Sequence, residues 1–298
     1  NLLVITIFTV PAVLFFKMSL IKRILIISSS FLLIFSIYIY GTFSINKNKG
    51  LINYLDKNEK IYIKVISPNF ELKYNSSIEE IEKKLKSLVR YSDPDSKKET
   101  LFVWPEGIFT GYNFSEIYQF RNLIKDRFKE NHLILFGINT TDSSTGEYFN
   151  SLVVINNKFK ILHQYDKKKL VPFGEFIPFE TVLNKFGLKK ITQGYGSFSE
   201  GKTEQNISIN NLNILPLICY EIIFPQLTQK ANKNTNLIVN ISEDGWFGNS
   251  IGPHQHFAKA IFRSIENNSF LVRSANKGIS AIINNKGEIV KRLDTFET

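Results

Sequence analysis

The stretch Ile214-Leu-Pro-Leu-Ile-Cys219-Tyr-Glu221 joins an apolar run directly to the single cysteine of the chain. A short apolar run of this kind is typical of a buried strand, and the residues after Cys219 predict a turn into a helix. A bend from strand to helix presents a side chain at the edge of a sheet and aims helix amides at it. This setting can lower the pKa of a thiol and hold an oxyanion. Cys219 is therefore a candidate nucleophile, although a lone cysteine read by itself is more often structural.

Strand and helix patterns surround this stretch on both sides. Apolar and alternating runs predict strands at 62–66, 101–104, 132–137, 151–155, 158–163, 214–218, 237–241, 269–273, 280–283 and 288–290. Helical patterns cover 78–89, 115–130 and 254–266. Strands and helices intermix, and two of the strand pairs read as hairpins. The sequence therefore predicts an α/β sandwich with a mixed sheet.

The amino-terminal part of the chain is far more apolar than the rest. Residues 24–43 carry no charge, and a stretch of about 20 apolar residues is long enough to cross a bilayer as a helix. Residues 1–16 are also uncharged, but Pro11 interrupts them, and we interpret them as the end of an earlier span in a longer chain. Positive charges fill the loop at 17–23, and short positive loops stay cytoplasmic. Everything after Gly41 is therefore expected on the outer side of the membrane.

Two other interpretations of residues 24–43 are weaker. A secretory signal peptide would have a shorter apolar core and a small-residue cleavage site, and a buried core helix would show a polar stripe. The predicted organisation is one or two transmembrane helices within 1–45, a linker over 46–59 and a folded domain over 60–298.

Composition and charge argue against nucleic-acid binding, an intrachain disulfide and a metal site. The chain has 298 residues and a formal net charge of +10, but its lysines are scattered and no arginine-rich helix or zinc-finger spacing accompanies them. A solvated basic surface is the simplest interpretation, and nucleic-acid binding is disfavoured. One cysteine allows neither an intrachain disulfide nor a multi-cysteine metal site. His254 and His256 lack a clustered third ligand, so we expect polar residues at a helix start and no metal.

Two further residues stand in unusual settings. Glu106 ends the string Val103-Trp-Pro-Glu106-Gly, directly after an apolar strand, where a carboxylate could serve as a general base. Lys167 begins a run of three lysines that leads into the apolar string Leu-Val-Pro-Phe-Gly-Glu-Phe-Ile-Pro. Read alone, the first is a loop or capping glutamate and the second is part of a solvated face.

Together these residues resemble the nitrilase superfamily. Glu106, Lys167 and Cys219 occur in that order within Trp-Pro-Glu, Tyr-x-Lys-x-x-Leu and Cys-Tyr-Glu strings. Longer strings at 167–178, 219–221, 244–248, 252–256 and 273–276 are similar to the apolipoprotein N-acyltransferase family within that superfamily. The match covers most of the chain after the apolar segments.

The resemblance implies a fold, an activity and a set of roles. The fold would be a nitrilase-like α-β-β-α sandwich. Cys219 would attack the sn-1 ester of a phospholipid and form a thioester, with Glu106 as general base and Lys167 stabilising the thiolate and the oxyanion. The acyl chain would then pass to the free amine of a diacylglyceryl-cysteine lipoprotein. Residues that match pocket positions of the family are Glu175, Tyr220, Glu221 and Trp246.

The resemblance also implies a setting. The protein would be a multi-pass protein of the bacterial inner membrane with its catalytic domain on the periplasmic side. It would act as a monomer, without cofactor or metal, on a phospholipid donor and a lipoprotein acceptor.

Departures and alternatives remain open at this point. Glu243 stands where the family usually has asparagine, and Lys277 occurs in a later Asn-Lys-Gly string. A membrane-tethered nitrilase or amidase that hydrolyses a C–N bond would use the same three residues with water as acceptor. A catalytically silent binding domain is a third possibility, which the intact set of three residues disfavours. The apolar spans favour a lipid substrate over a small amide.

Overall fold

The structure is a computed structural model that describes residues 2–47, 61–178, 197–202, 206–229 and 235–298. It divides the chain into two compact units, Asn1–Lys49 and Gly50–Thr298. The predicted linker at 46–59 lies almost entirely outside the described residues.

The first unit is helical. Helix α1 (Leu2–Thr9) continues into a 3-10 helix (Val10–Phe15) with Pro11 in its first turn, and helix α2 (Leu20–Lys47) follows. Within the described residues, α2 is the one helix long and apolar enough to cross a membrane, and it encloses the predicted span 24–43. Five of its serine and threonine hydroxyls donate to carbonyls three or four residues earlier, so these five polar groups are satisfied within the helix.

The second unit contains two mixed sheets. The first has the order β1-β2-β3-β4-β5, in which β1, β2 and β3 are parallel and β4 and β5 continue antiparallel. Its strands are Tyr62–Val65, Thr100–Val103, His132–Thr141, Tyr148–Ile155 and Ile161–Asp166. The second has the order β11-β10-β9-β8-β7-β6, with β7, β8 and β9 parallel. Its strands are Ile207–Ile209, Leu212–Ile218, Leu237–Glu243, Phe270–Asn276, Ser280–Ile283 and Ile289–Leu293.

Alternation along the strands builds a four-layer sandwich. In β7, Ile214 and Ile218 pack into the core shared by the two sheets, whereas Leu215 and Leu217 face the outer layer, as the two-residue period of a strand requires. Helices α3 (Ile78–Ser92) and α5 (Arg121–Arg127) cover the first sheet, and α7 (Gly252–Glu266) covers the second. The predicted α-β-β-α sandwich is therefore confirmed.

The element bounds follow from local chemistry. Helix α3 begins at a capping box in which Ser77 Oγ accepts from Glu80 N at 3.3 Å and Glu80 Oε2 accepts from Ser77 N at 2.8 Å. The helical segment predicted at 115–130 is divided into α4 (Phe114–Ile117), a 3-10 turn and α5, because aromatic and β-branched residues are weak helix formers. A short helix α6 (Pro225–Gln229) follows the cysteine turn.

Candidate active site

The three candidate residues follow the carboxyl ends of strands from both sheets. Glu106 comes after β2, Lys167 directly after β5 and Cys219 directly after β7. All three line one cavity of about 630 Å³, a volume within the range of small-molecule sites. The arrangement of strands therefore brings together residues that lie far apart in the sequence.

Lys167 lies between two carboxylates. Its side chain is 1% exposed, and its Nζ lies 2.8 Å from Glu175 Oε1 and 3.5 Å from Glu106 Oε1. Asn150 Nδ2 donates to the same two oxygens, at 2.7 Å each. Burial alone would lower the pKa of Lys167, but the two carboxylates outweigh it and hold the pKa above its ordinary value. Lys167 is therefore a fixed ammonium ion in the cavity wall.

Cys219 occupies a backbone conformation that L-residues rarely adopt. Its φ is 47°, in the left-handed region, and it is the first residue of a 3-10 helix that ends at Ile223. Burial raises the pKa of the thiol, Glu106 raises it further, and Lys167 lowers it only in part. The lowered thiol pKa predicted from the strand-to-helix bend is therefore wrong for the resting protein. The resting thiol keeps its proton, and Glu106 is a carboxylate that interacts with it.

Glu221 fastens the two halves of the site together. Its Oε1 accepts from Tyr165 Oη at 2.9 Å, Lys168 N at 2.7 Å and Lys169 N at 3.1 Å, and its Oε2 accepts from Ile218 N at 2.8 Å. The side chain is fully buried, and burial raises its pKa. It does not line the cavity, although the sequence placed it among the pocket residues. It lies behind the cavity wall, where it joins the turn that carries Lys167 to the turn that carries Cys219.

The other predicted pocket residues do line the cavity. Glu175 is held by Val171 N, which donates to its Oε2 at 2.8 Å. Tyr220 packs edge-on against Phe224, with ring centroids 5.0 Å apart. Trp246 is 47% exposed at the cavity and packs against Tyr74 at 5.5 Å. Much of the remaining lining is apolar and includes Leu72, Phe109, Ile138, Pro172, Phe198, Ile223 and Phe247.

A charged network supports the cysteine turn from below. His256 Nε2 lies 3.0 Å from the Cys219 carbonyl oxygen, which can only accept, so this nitrogen carries a proton. His256 Nδ1 lies 2.9 Å from Asp244 Oδ1, and Arg273 donates to Asp244 Oδ2 at 2.7 Å. Burial alone would raise the pKa of Asp244, but Arg273 and His256 hold it well below its usual range.

The histidines predicted at a helix start do lie there, in the first turns of α7. His254 is exposed and does not line the cavity. Within the described ranges, no three His, Cys, Asp or Glu residues form a group that could hold a metal.

Sequence reasoning did not identify several residues of the site. Asn150, Asp244 and Arg273 were not selected as site residues, and Tyr74 was not considered. The polar pair Asn150-Ser151 inside the mostly apolar strand Tyr148–Ile155 is the local signal that could have revealed the first of them.

Comparisons with known proteins agree with this geometry. The family described as carbon-nitrogen hydrolase matches residues 72–298. Solved structures with the same fold include Saccharomyces cerevisiae Nit3, of the nitrilase superfamily, with a TM-score of 0.58, 16% identity, and coverage of 81% of this chain and 88% of that one. A CN-hydrolase superfamily protein from Xanthomonas campestris gives a TM-score of 0.55 at 14% identity, over 79% of this chain and 87% of that one. The chain belongs to the carbon-nitrogen hydrolase family, and the resemblance to the nitrilase superfamily is confirmed.

Curated relatives narrow the comparison. A protein of Rhizobium leguminosarum bv. trifolii named apolipoprotein N-acyltransferase is 37% identical over 207 residues, which are 68% of this chain and 39% of that protein. A protein of Brucella suis biovar 1 with the same name is 31% identical over 263 residues, 85% of this chain and 49% of that protein. The chain thus spans less than half the length of these relatives.

Proposed function

We propose that the chain carries the catalytic domain of an apolipoprotein N-acyltransferase. The substrates are a phospholipid as acyl donor and a diacylglyceryl-cysteine lipoprotein as acceptor. The observation that carries the proposal is the cavity itself, in which a thiol, an ammonium and a carboxylate share one largely apolar enclosure. The names of the curated relatives support the same activity.

The chemistry follows two displacements. In the first, Glu106 takes the proton of the Cys219 thiol while the sulfur attacks the ester carbonyl of the phospholipid. Lys167 stabilises the negative charge that develops on the sulfur and on the carbonyl oxygen. The tetrahedral intermediate collapses to a thioester, and the lysophospholipid hydroxyl leaves with the proton from Glu106.

The second displacement regenerates the enzyme. The neutral amine of the acceptor attacks the thioester carbonyl, and Glu106 takes the proton that the amine loses. Collapse forms the amide and releases the Cys219 sulfur, which recovers its proton. Glu175 and Asn150 keep the Lys167 ammonium and the Glu106 carboxylate in position throughout.

The setting proposed for this activity is the bacterial inner membrane. Helix α2 would span the bilayer, and the positive loop at 17–23 would stay cytoplasmic, which puts the catalytic domain on the periplasmic side. A donor lipid could then reach the cavity from the outer leaflet. We propose a monomer that needs no cofactor.

The test is a covalent adduct on the single cysteine. The full chain, reconstituted with a defined phospholipid, is digested and examined by mass spectrometry, and we expect an acyl group on the peptide that contains Cys219. The Cys219→Ala variant should show none, and Glu106→Gln should form it at least about a hundredfold more slowly, since general-base catalysis supplies about that factor.

Two results would overturn the proposal. One is a wild-type protein without adduct, and the other is an equal adduct in Cys219→Ala. Release of ammonia from a simple amide without any acyl adduct would favour the alternative, a membrane-tethered amidase with water as acceptor.

A further inference from the structure

A second carboxyl group borders the candidate site. Glu243 is the last residue of β8, is 2% exposed and lines the same cavity as Cys219. Its backbone N–H donates to Glu106 Oε2 at 3.2 Å. The strand end that presents Glu243 therefore also fixes the orientation of the proposed base.

The carboxyl of Glu243 has neutral partners. Gly245 N donates to Oε1 at 2.8 Å, and Asn276 Nδ2 donates to Oε2 at 2.8 Å. The Asn276 amide cannot turn, since its Oδ1 accepts from Phe70 N at 2.7 Å and its Nδ2 also donates to Phe70 O at 2.9 Å. Among the described ion pairs, Glu106 and Asp244 each have a cation, whereas Glu243 has none.

The surrounding charges do not favour an ionised Glu243. The negative charges of Glu106 and Asp244 raise the pKa of Glu243, and Glu243 also interacts electrostatically with the Tyr74 hydroxyl. Two lysines lie nearby without an ion pair to Glu243 among the described residues. Burial lowers the pKa of Lys84 on α3 and its interaction with Glu243 opposes that decrease, while the ammonium of Lys277 is bonded to Glu71 at 2.5 Å. A buried carboxyl without a cation partner keeps its proton more firmly than an exposed one.

We propose that Glu243 positions Glu106 through its backbone N–H while its side chain stays a neutral carboxylic acid. We further propose that ionisation of this side chain slows attack by Cys219. With Glu243 neutral, Lys167 faces two carboxylates, Glu106 and Glu175. An ionised Glu243 adds a third negative charge to the cavity wall. That charge opposes both the thiolate and the oxyanion, since each is an anion formed in the same enclosed space.

The Glu243 side chain changes its protonation state within a pH range that experiments can reach. Burial raises the pKa of Glu243 to about 8, with Glu106 and Asp244 adding to the increase and the two hydrogen bonds opposing it. The inference rests on the proposed role of Cys219 as nucleophile, but its tests read the carboxyl and the thiol without any lipid.

The first test observes the proton itself. Infrared difference spectra between the wild-type chain and Glu243→Gln are recorded across a pH titration. We expect the C=O band of a protonated carboxyl at neutral pH, lost with a midpoint near the pKa of Glu243, about 8. A carboxyl that is already ionised at neutral pH would overturn the inference.

The second test observes the thiol. Cys219 alkylation by iodoacetamide is followed against pH in the wild type, in Glu243→Gln and in the matched control Glu71→Gln, whose carboxylate is exposed. The wild type and Glu243→Gln should react equally at mildly acidic pH. Well above the pKa of Glu243, the glutamine variant should react about fivefold faster, because it lacks the added negative charge.

Three outcomes separate the possibilities. Superimposable profiles of wild type and Glu243→Gln at every pH overturn the inference, as does an equal change in Glu71→Gln. If glutamine is not tolerated at 243, Glu243→Asn gives the same comparison with a shorter neutral side chain. A Glu243-dependent profile in a protein that forms no acyl adduct would support this inference while overturning the proposed function.

Discussion

At the scale of single residues, the site contrasts two buried ionisable groups. The lysine is held charged by two carboxylates, whereas the thiol is held neutral by burial and by one of those same carboxylates. Glu106 therefore has two effects, since it pairs with Lys167 and opposes a thiolate at Cys219. A resting thiol that keeps its proton is protected from oxidation and becomes a nucleophile only when a base acts on it.

Removing the ammonium of Lys167 should make Cys219 a less reactive thiol. In Lys167→Met, the ammonium that lowers the pKa of the thiol is lost, and the pKa of Cys219 should rise. We expect iodoacetamide alkylation of Cys219 at neutral pH to fall about tenfold, as one pKa unit would give. The control is Lys169→Met, which removes an exposed lysine two residues away. Equal rates in Lys167→Met and wild type would remove Lys167 from any role in thiolate stabilisation.

The buried pair of Asp244 and Arg273 should make the free energy of unfolding depend on pH in the acidic range. The pKa of Asp244 lies well below its ordinary value of about 3.9. Its contribution to the free energy of unfolding is therefore complete above that ordinary value and is lost as the pH falls towards the folded-state pKa.

Urea unfolding followed by tryptophan fluorescence at several pH values measures this contribution. Asp244→Asn should lower the free energy of unfolding by about 3 kcal/mol at neutral pH, because Arg273 is left buried without its counter-ion. The variant should also lose less stability in acid than the wild type. A parallel decline in both proteins would show that Asp244 is not the group responsible.

At the scale of elements, the turn after β2 determines how closely the two sheets approach at the site. Gly107 has a φ of 76°, and a Cβ there would lie 2.7 Å from Glu243 Oε2. Glycine is required twice over, by the backbone conformation and by the neighbouring strand end. The carboxyl groups of Glu106 and Glu243 can border one cavity because nothing stands between this turn and β8.

Alanine substitutions at Gly107 and Gly146 should distinguish backbone strain from steric crowding. Gly146 has a similar φ of 72° but nothing within 4 Å of its Cβ position, so Gly146→Ala should cost only the strain of about 1 kcal/mol. Gly107→Ala should cost about 3 kcal/mol, since the clash adds to that strain. Thermal unfolding of the two variants gives the comparison. Equal losses of stability in the two variants would mean that Glu243 moves away from the added methyl group at no cost in free energy.

The sequence predicted those elements whose signal is local. The strands that precede Glu106 and Cys219 carry apolar runs, and the capping residue Ser77 stands directly before its helix. The strand Ile207–Ile209 is too short to show a period, and it was not predicted. Glu221 was assigned to the pocket because it matches a pocket position of the family that the sequence resembles, but successive residues of a 3-10 helix point about 120° apart, and its side chain turns inward.

Contacts between distant residues could not be predicted from local patterns. Glu243 meets Asn276 because β8 and β9 pair in one particular register, and a sequence without its pairings does not specify that register. The same holds for Asn150 on β4, which reaches Glu106 past the intervening strand β3. The raised pKa of the thiol depends on burial, and burial is a property of the folded domain.

At the scale of the whole molecule, the single cysteine makes the proposed orientation testable. In a Cys219→Ala background, Ser96→Cys puts a thiol on an exposed position of the second unit, and Ser19→Cys puts one in the loop before α2. We expect an impermeant maleimide to label Ser96→Cys in intact spheroplasts and Ser19→Cys only after permeabilisation, because positive loops stay cytoplasmic. The reverse pattern of labelling would contradict the proposed orientation.

The division of the site between two sheets also orders its assembly during synthesis. Glu106 and Lys167 belong to the first sheet, and Cys219 follows a strand of the second. A nascent chain leaves the ribosome from its amino end, so the first sheet can form before the second has been translated. Glu106 and Glu175, the two partners of Lys167, both precede Cys219 in the chain, so they are synthesised before the thiol. A chain whose synthesis stops before β7 therefore carries the lysine and its two carboxylates but not the cysteine.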